Sequence, residues 1–205
     1  ILYGGYMALA QTDLKRLVAY SSISHMGFVT LGIFSFNNEG IAGATLQMVT
    51  HGITTGAMFL IVGQLYDRTH SREIADYGGL QARMPRFVAV LSLFAVASFG
   101  LPTTSNFIGE FLILVGVSYQ NFLFVVMAMG GIVLGAAYML WMLQRVAFGQ
   151  PRTEAAKNLT DLNFREMSTL VPLAIAVIAI GVYPGPLLES MDASVTYVVQ
   201  QLAGF

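Results

Sequence analysis

The chain has 205 residues, of which 56% are hydrophobic and only 10% charged, with a formal net charge of −1. A soluble domain carries about 25% charged residues, so this composition excludes a water-facing globule and, at a mean hydropathy of +0.68, predicts an all-α polytopic membrane protein. The near-neutral charge offers no electrostatic footprint for nucleic acid, and the lack of cysteine excludes disulfides and cysteine-held iron–sulfur clusters from these residues.

In chain order, residues 1–10 are apolar but too few to cross a bilayer, which takes about 20 residues. They read as the tail of a truncated helix, and the chain as the C-terminal part of something larger. Five hydrophobic blocks follow, near residues 17–36, 41–66, 86–117, 121–148 and 169–183. In lipid each must be helical, because backbone groups need internal partners. The links at 37–40 and 118–120 are short, so the helices they join are antiparallel neighbours. The expected organisation is one membrane domain over residues 1–205, with five transmembrane helices between residues 17 and 183.

The third block is too long. Its 32 residues would make a helix of about 48 Å, against a hydrocarbon core of about 30 Å. Gly100-Leu101-Pro102-Thr103-Thr104-Ser105 supplies a break: proline removes a donor and clashes with the preceding turn, while Gly100 and the hydroxyls of Thr103, Thr104 and Ser105 tolerate and cap an interruption. Two half-helices, residues 86–99 and 106–117, are predicted around an unwound segment at 100–105. Such a segment is tolerated at membrane depth only against protein or a cavity, and in transporters it marks ion sites. After the fifth block, Tyr183-Pro184-Gly185-Pro186 ends the helix, and residues 187–205 are expected to form an amphipathic segment on the outer face. Gly52-x-x-x-Gly56 and Gly131-x-x-x-Gly135 predict close helix packing. Asn158-Leu159-Thr160 has the form of a glycosylation acceptor but falls on the wrong face for one.

That face follows from the basic residues. Lys15 and Arg16 precede the first block; Arg68, Arg72, Arg83 and Arg86 lie between the second and third; Arg145, Arg152, Lys157 and Arg165 lie between the fourth and fifth. With alternating crossings all ten share one side, while the opposite loops hold Glu39, Glu189 and Asp192. The positive-inside rule makes the basic side cytoplasmic and puts the C-terminus on the outer, periplasmic side. Tyr66, Phe87 and Trp141 near helix ends are expected at the membrane interface.

One carboxylate, Glu110, falls inside the membrane, five residues after Ser105. The helix dipole favours its charged form and desolvation the neutral one, the competition a proton carrier needs. His25, among Ser21, Ser22 and Ser24, and His51, near Gln47, Thr50, Thr54 and Thr55, are the other intramembrane titratable groups and candidates to exchange protons with it. Structural roles, as a protonated Glu110 and neutral histidines bonded to hydroxyls, are the alternative. Two histidines on adjacent helices also raise axial haem ligation. Their depths speak against it, at about 12 Å for His25 and about 22 Å for His51 from the cytoplasmic ends of their blocks. His70 reads as a solvated loop residue.

Thr12-Asp13-Leu14-Lys15-Arg16-Leu17-Val18-Ala19-Tyr20-Ser21-Ser22-Ile23-Ser24-His25-Met26-Gly27 resembles a signature of the antiporter-like subunits of respiratory complex I. Three details narrow the resemblance to the M-subunit branch of bacterial NADH–quinone oxidoreductases, the counterpart of mitochondrial NADH dehydrogenase subunit 4. They are His25-Met26, the run Met48-Val49-Thr50-His51-Gly52, and Asn106-Phe107-Ile108-Gly109-Glu110-Phe111 with Glu where sibling subunits usually carry Lys. The resemblance covers the whole chain. It implies a fourteen-helix subunit with two inverted five-helix repeats, each with a broken helix, in the bacterial inner membrane beside sibling antiporter-like subunits. It implies proton translocation with Glu110 as exit-side carrier and His25 and His51 on the polar axis feeding it. It also implies that NADH, FMN, iron–sulfur clusters and quinone sit in partner subunits, with no cofactor or metal here. The alternatives are a subunit of a multisubunit cation/proton antiporter and a purely structural membrane bundle.

Overall fold

The computed structural model describes residues 1–157 and 159–203. Asn158 of the acceptor-like triplet, and Gly204 and Phe205 at the end of the C-terminal segment, lie outside the described residues. The described residues form α1 (Leu2–Leu9), α2 (Leu14–Ile33), α3 (Asn38–Thr69), α4 (Pro85–Ser98), α5 (Ser105–Ser118), α6 (Phe122–Ala147), α7 (Glu154–Lys157), α8 (Phe164–Val182) and α9 (Gly185–Ala203), with two 3₁₀ turns at Ile74–Asp76 and Leu80–Ala82.

Local chemistry sets the helix boundaries. Asp13 caps α2 by accepting from the Arg16 amide, and residues 12–14 pair with 72–74 through Leu14 N–H to the Arg72 carbonyl (2.9 Å) and Ile74 N–H to the Thr12 carbonyl (2.8 Å). Asn37 caps α3 through the Gly40 amide at 2.9 Å and donates its own amide to the Gly116 carbonyl of α5 at 2.7 Å. His70 ends α3 in the left-handed region, φ 52°. It is exposed, with its ring edge-on to Tyr66 at 5.8 Å.

The 32-residue α3 is the central element, packing against α2, α4, α5, α8 and α9. The larger core joins Leu17, Met58, Ile61, Leu65, Phe94 and Met142; a smaller one joins Phe28, Ile113, Val117 and Val125. In lipid the cohesion comes from close fit more than from water exclusion, and glycines provide it between α3 and α5. A Cβ on Gly43 would sit 2.7 Å from the Ile113 amide nitrogen, and one on Gly109 would sit 2.5 Å from Gln47 Oε1. This near contact of backbones carries Gln47 to Glu110.

Three helices among the described residues are long and apolar enough to cross a membrane, namely α3, α6 and α8; α4 and α5 are shorter apolar pieces. The long third block is interrupted as expected of a discontinuous helix, although Ser105 belongs to α5 and not to the break. Other expectations need correcting. The fifth helix starts at Phe164, not near 169, because an Asn163–Glu166 capping box launches it and Pro172 is absorbed within it. Phe87 is no interface residue: it is 1% exposed in the main core, whereas Tyr66 and Trp141 are 41% and 44% exposed. Gly131 does pack closely, against Ile1 and Phe28, but Gly52 and Gly56 face open space, so the Gly52–Gly56 motif packs on nothing among the described residues. The C-terminal helix begins at Gly185 and lies on α3, burying Val195 and exposing Glu189 and Asp192.

Candidate functional site

The break between α4 and α5 is a built feature. Gly100 (φ +72°) and Thr103 (φ +81°) both adopt the left-handed region, which costs a non-glycine residue roughly 1–2 kcal/mol. A turn closes from the Thr104 amide (3.0 Å) and hydroxyl (2.6 Å) to the Leu101 carbonyl. Thr104 therefore holds the break itself; as the N-cap of α5 it makes no side-chain capping bond. Leu101, Pro102 and Thr103 are exposed, while Thr104, Ser105 and Asn106 are buried. Asn106 donates to the Ser98 carbonyl at 3.4 Å and accepts from the Thr54 hydroxyl at 3.2 Å, binding both half-helices to α3. On the far side Gly181 of α8 has no Cβ to collide with the backbone of Thr103 and Thr104. The backbone at Thr103 and Thr104 thus packs on α8, whereas Leu101 and Pro102 remain exposed.

Glu110, 3% exposed, sits in the second turn of α5, and helical side chains lean toward their own N-terminus. Its carboxylate turns back to the break, where Oε2 lies so close to Gly100 that a Cβ there would come within 2.6 Å. Oε1 is hydrogen-bonded with His25 Nδ1 at 3.0 Å and accepts from Gln47 Nε2 at 3.3 Å. His25 is 4% exposed, and its Nε2 lies 3.4 Å from the hydroxyl of Tyr138, a fully buried residue of α6. His51, 6% exposed, stacks beside it with ring centroids 5.2 Å apart and planes tilted 39°; its hydroxyl partner is Thr55, 3.2 Å from either ring nitrogen.

The depth estimate that separated the two histidines is wrong. His51 stands 18 residues before the end of α3 (69 − 51) and His25 stands 11 after the start of α2 (25 − 14), so level rings mean that α3 reaches about 10 Å further along its axis. Axial haem ligation meets a different objection: both nitrogens of His25 already have protein partners. Among the described residues no three His, Asp or Glu side chains converge as metal ligands.

The structure therefore brings Glu110 and His25 into direct contact and seats His51 against His25. Sequence reading had noted Gln47 only as a neighbour of His51 and had missed Tyr138 and Asn106. Asn106 had a signal, as the first amide after the break. Tyr138 had none, since it arrives from 113 residues away.

A second polar cluster lies at the basic end. Arg68 of α3 makes a two-pronged pair with Glu166 of α8, 2.7 Å on each arm, and donates to the Thr160 carbonyl at 3.1 Å and the Gln64 carbonyl at 2.9 Å. Glu166 also accepts from the Asn163 amide. The Asp161 carboxylate receives the Arg86 and Phe87 amides at 2.9 and 3.0 Å, capping α4 from outside its own sequence neighbourhood. Nearby, burial pushes the Tyr77 phenol above its usual range; its hydroxyl donates to the Ser71 carbonyl at 2.5 Å.

With this geometry in view, the likenesses to known proteins can be placed. A family model described as "NADH:quinone oxidoreductase/Mrp antiporter, TM" matches residues 1–135. NADH-quinone oxidoreductase subunit M of Rhodobacter capsulatus is 46% identical over 98% of this chain and 39% of its own length, so the chain spans about two fifths of that relative. A chain in the structure of respiratory complex I from Thermus thermophilus with bound NADH superposes with a TM-score of 0.91 at 33% identity, covering 97% of this chain and 42% of that one. A chain of the Mrp complex from a Dietzia species shares the fold, with a TM-score of 0.87 at 16% identity over 97% of this chain and 45% of its own. The chain belongs to the NADH:quinone oxidoreductase/Mrp antiporter transmembrane family, as an all-α polytopic membrane protein with a discontinuous helix.

Proposed function

We propose that the chain is the C-terminal part of a proton-translocating membrane subunit of an NADH–quinone oxidoreductase, and that Glu110 and His25 form its proton-exchange pair with His51 beside them. The observation that carries this reading is the buried 3.0 Å contact of His25 with Glu110, one turn past the break. From a doubly protonated His25, the proton on Nδ1 can pass to Oε1 of an ionised Glu110 along that bond, within the reach proton transfer requires. The nitrogen is then left with a lone pair and Glu110 neutral. Gln47 holds the acceptor oxygen in place, and Gly100 leaves the second oxygen free to approach the break.

In this reading α2, α3, the α4–α5 pair, α6 and α8 make five crossings of a bacterial inner membrane. The basic end is cytoplasmic and α9 lies on the outer face. NADH, flavin, iron–sulfur and quinone chemistry belongs to partner subunits, and sibling antiporter-like subunits are its neighbours. The test is Glu110→Gln in the complete complex, with NADH oxidation and acidification followed together in sealed vesicles. The account expects an assembled complex whose pumping falls at least tenfold. Unchanged pumping at full turnover would make Glu110 structural.

A further inference from the structure

Tyr138 is the fully buried polar contact that the proposed exchange leaves unused, and the geometry of His25 assigns it a task. Its hydroxyl lies 3.4 Å from His25 Nε2, on the opposite edge of the ring from Glu110, with the Ser21 hydroxyl beside it. The imidazole is held between a carboxylate and a phenol, and the two ends cannot be set independently.

The hydrogen inventory makes this explicit. When the His25–Glu110 pair holds one proton, Glu110 is a carboxylate and Nδ1 carries the hydrogen that it accepts. Nε2 then bears a lone pair and needs a donor. When the pair holds two protons, they lie either on both ring nitrogens or on the carboxyl and Nε2. In both arrangements Nε2 carries a hydrogen and needs an acceptor. A hydroxyl is the group that serves both, donating in the first state and accepting in the second while its own hydrogen turns to Ser21. The 3.4 Å spacing is long for a hydrogen bond and leaves room for that rotation.

We propose that Tyr138 is a positioning residue that stabilises the doubly protonated pair, so that His25 loads before it hands its proton to Glu110. The inference rests on the proton-exchange reading above. The asymmetry decides its direction: without the phenol oxygen the one-proton state loses a donor to a lone pair, whereas the two-proton state strands a buried N–H that can carry positive charge, a larger loss. The other titratable groups around His25 are His51 from α3 and Glu110 from α5; α1 presents Tyr3 and Tyr6, 69% and 62% exposed, and α2 itself presents Tyr20. Among the described residues the hydrogen-bond partner of Nε2 is Tyr138 and not one of these.

The test is the pH profile of pumping by the complete complex with Tyr138→Phe. The account expects pumping to weaken several-fold at neutral pH and to recover as the medium is acidified, with the profile displaced toward lower pH by about one unit. In a His25→Gln background the same substitution should displace nothing further. A Tyr138→Phe complex whose profile coincides with that of the unmodified one overturns the inference, as does an equal displacement without His25. Infrared spectroscopy of the unmodified complex with ring-labelled tyrosine needs no Tyr138 variant. A tyrosine C–O band that changes from donor to acceptor form with pH, and is static in Glu110→Gln, supports the switch; the same band behaviour in both complexes refutes it. If Glu110→Gln pumps normally, the underlying proton-exchange reading has failed; if it does not pump and Tyr138→Phe is unshifted, only the Tyr138 inference has.

Discussion

Two of the acid–base pairs among the described residues join separate helices and are built to opposite specifications. At the basic rim Arg68 and Glu166 meet on two arms of 2.7 Å, and their neighbours are tied in turn: the Thr160 and Gln64 carbonyls by Arg68, the Asn163 amide by Glu166, the Arg86 and Phe87 amides by Asp161, with Gln64 Oε1 left without a partner among the described residues. In the interior, His25 and Glu110 meet on one arm of 3.0 Å, and the groups around them have capacity to spare. Among the described residues Gln47 Oε1 is buried without a hydrogen-bond partner, and Tyr138 stands at 3.4 Å. A two-armed pair braced by its neighbours fixes one arrangement, because a proton move would break one of its bonds. A sparsely bonded one admits several proton arrangements of similar energy, which is what exchange requires.

Breaking the rim should cost the most in stability. Arg68→Ala leaves the Glu166 carboxylate half-buried without its partner and frees the Thr160, Gln64 and Asp161 carbonyls, for a loss of about 1.5–3 kcal/mol. The expected outcome is a complex that is recovered in lower yield and dissociates at lower temperature, with pumping per NADH unchanged in what assembles. Gly100→Ala sharpens the comparison from the interior side. The residue must adopt φ +72° at a cost of roughly 1–2 kcal/mol, and its Cβ would push Glu110 Oε2 from its place. Pumping should fall several-fold with modest loss of assembly, as measured in the same vesicles. The smallest effect is expected at Gly52→Ala, where a Cβ meets nothing within 4 Å. In this chain it should change stability by under about 1 kcal/mol, in the direction of the better helix former; a large assembly defect would identify the Gly52 face as one covered by another segment or subunit.

How far the sequence reached follows the same division. The break was legible because its causes are local: Gly100 and Pro102 lie inside a block too long for the bilayer, and the helices end at Ser98 and resume at Ser105. The start of α8 was legible in principle from Asn163 and Glu166, but hydropathy alone put it at the first uninterrupted apolar run. Phe87 was misplaced because a position near a helix end says nothing about the loop that folds over it, here the one carrying Asp161. Glu110, His25 and His51 were identifiable because titratable side chains are conspicuous in an apolar chain. Their distances were not, since the relative height of α2 and α3 depends on how far α3 extends beyond the membrane block, not on counting from loops. Tyr138 is one aromatic residue among many, and only the packing of α6 on α2 distinguishes it.

The most direct measurement compares protons translocated per NADH in the Glu110→Gln and Arg68→Ala complexes, prepared and assayed side by side. The account predicts a ratio that collapses for Glu110→Gln in a well-assembled complex and stays at the unmodified value for Arg68→Ala in a poorly assembled one. A full ratio for Glu110→Gln, or an equal fall for both, would contradict it.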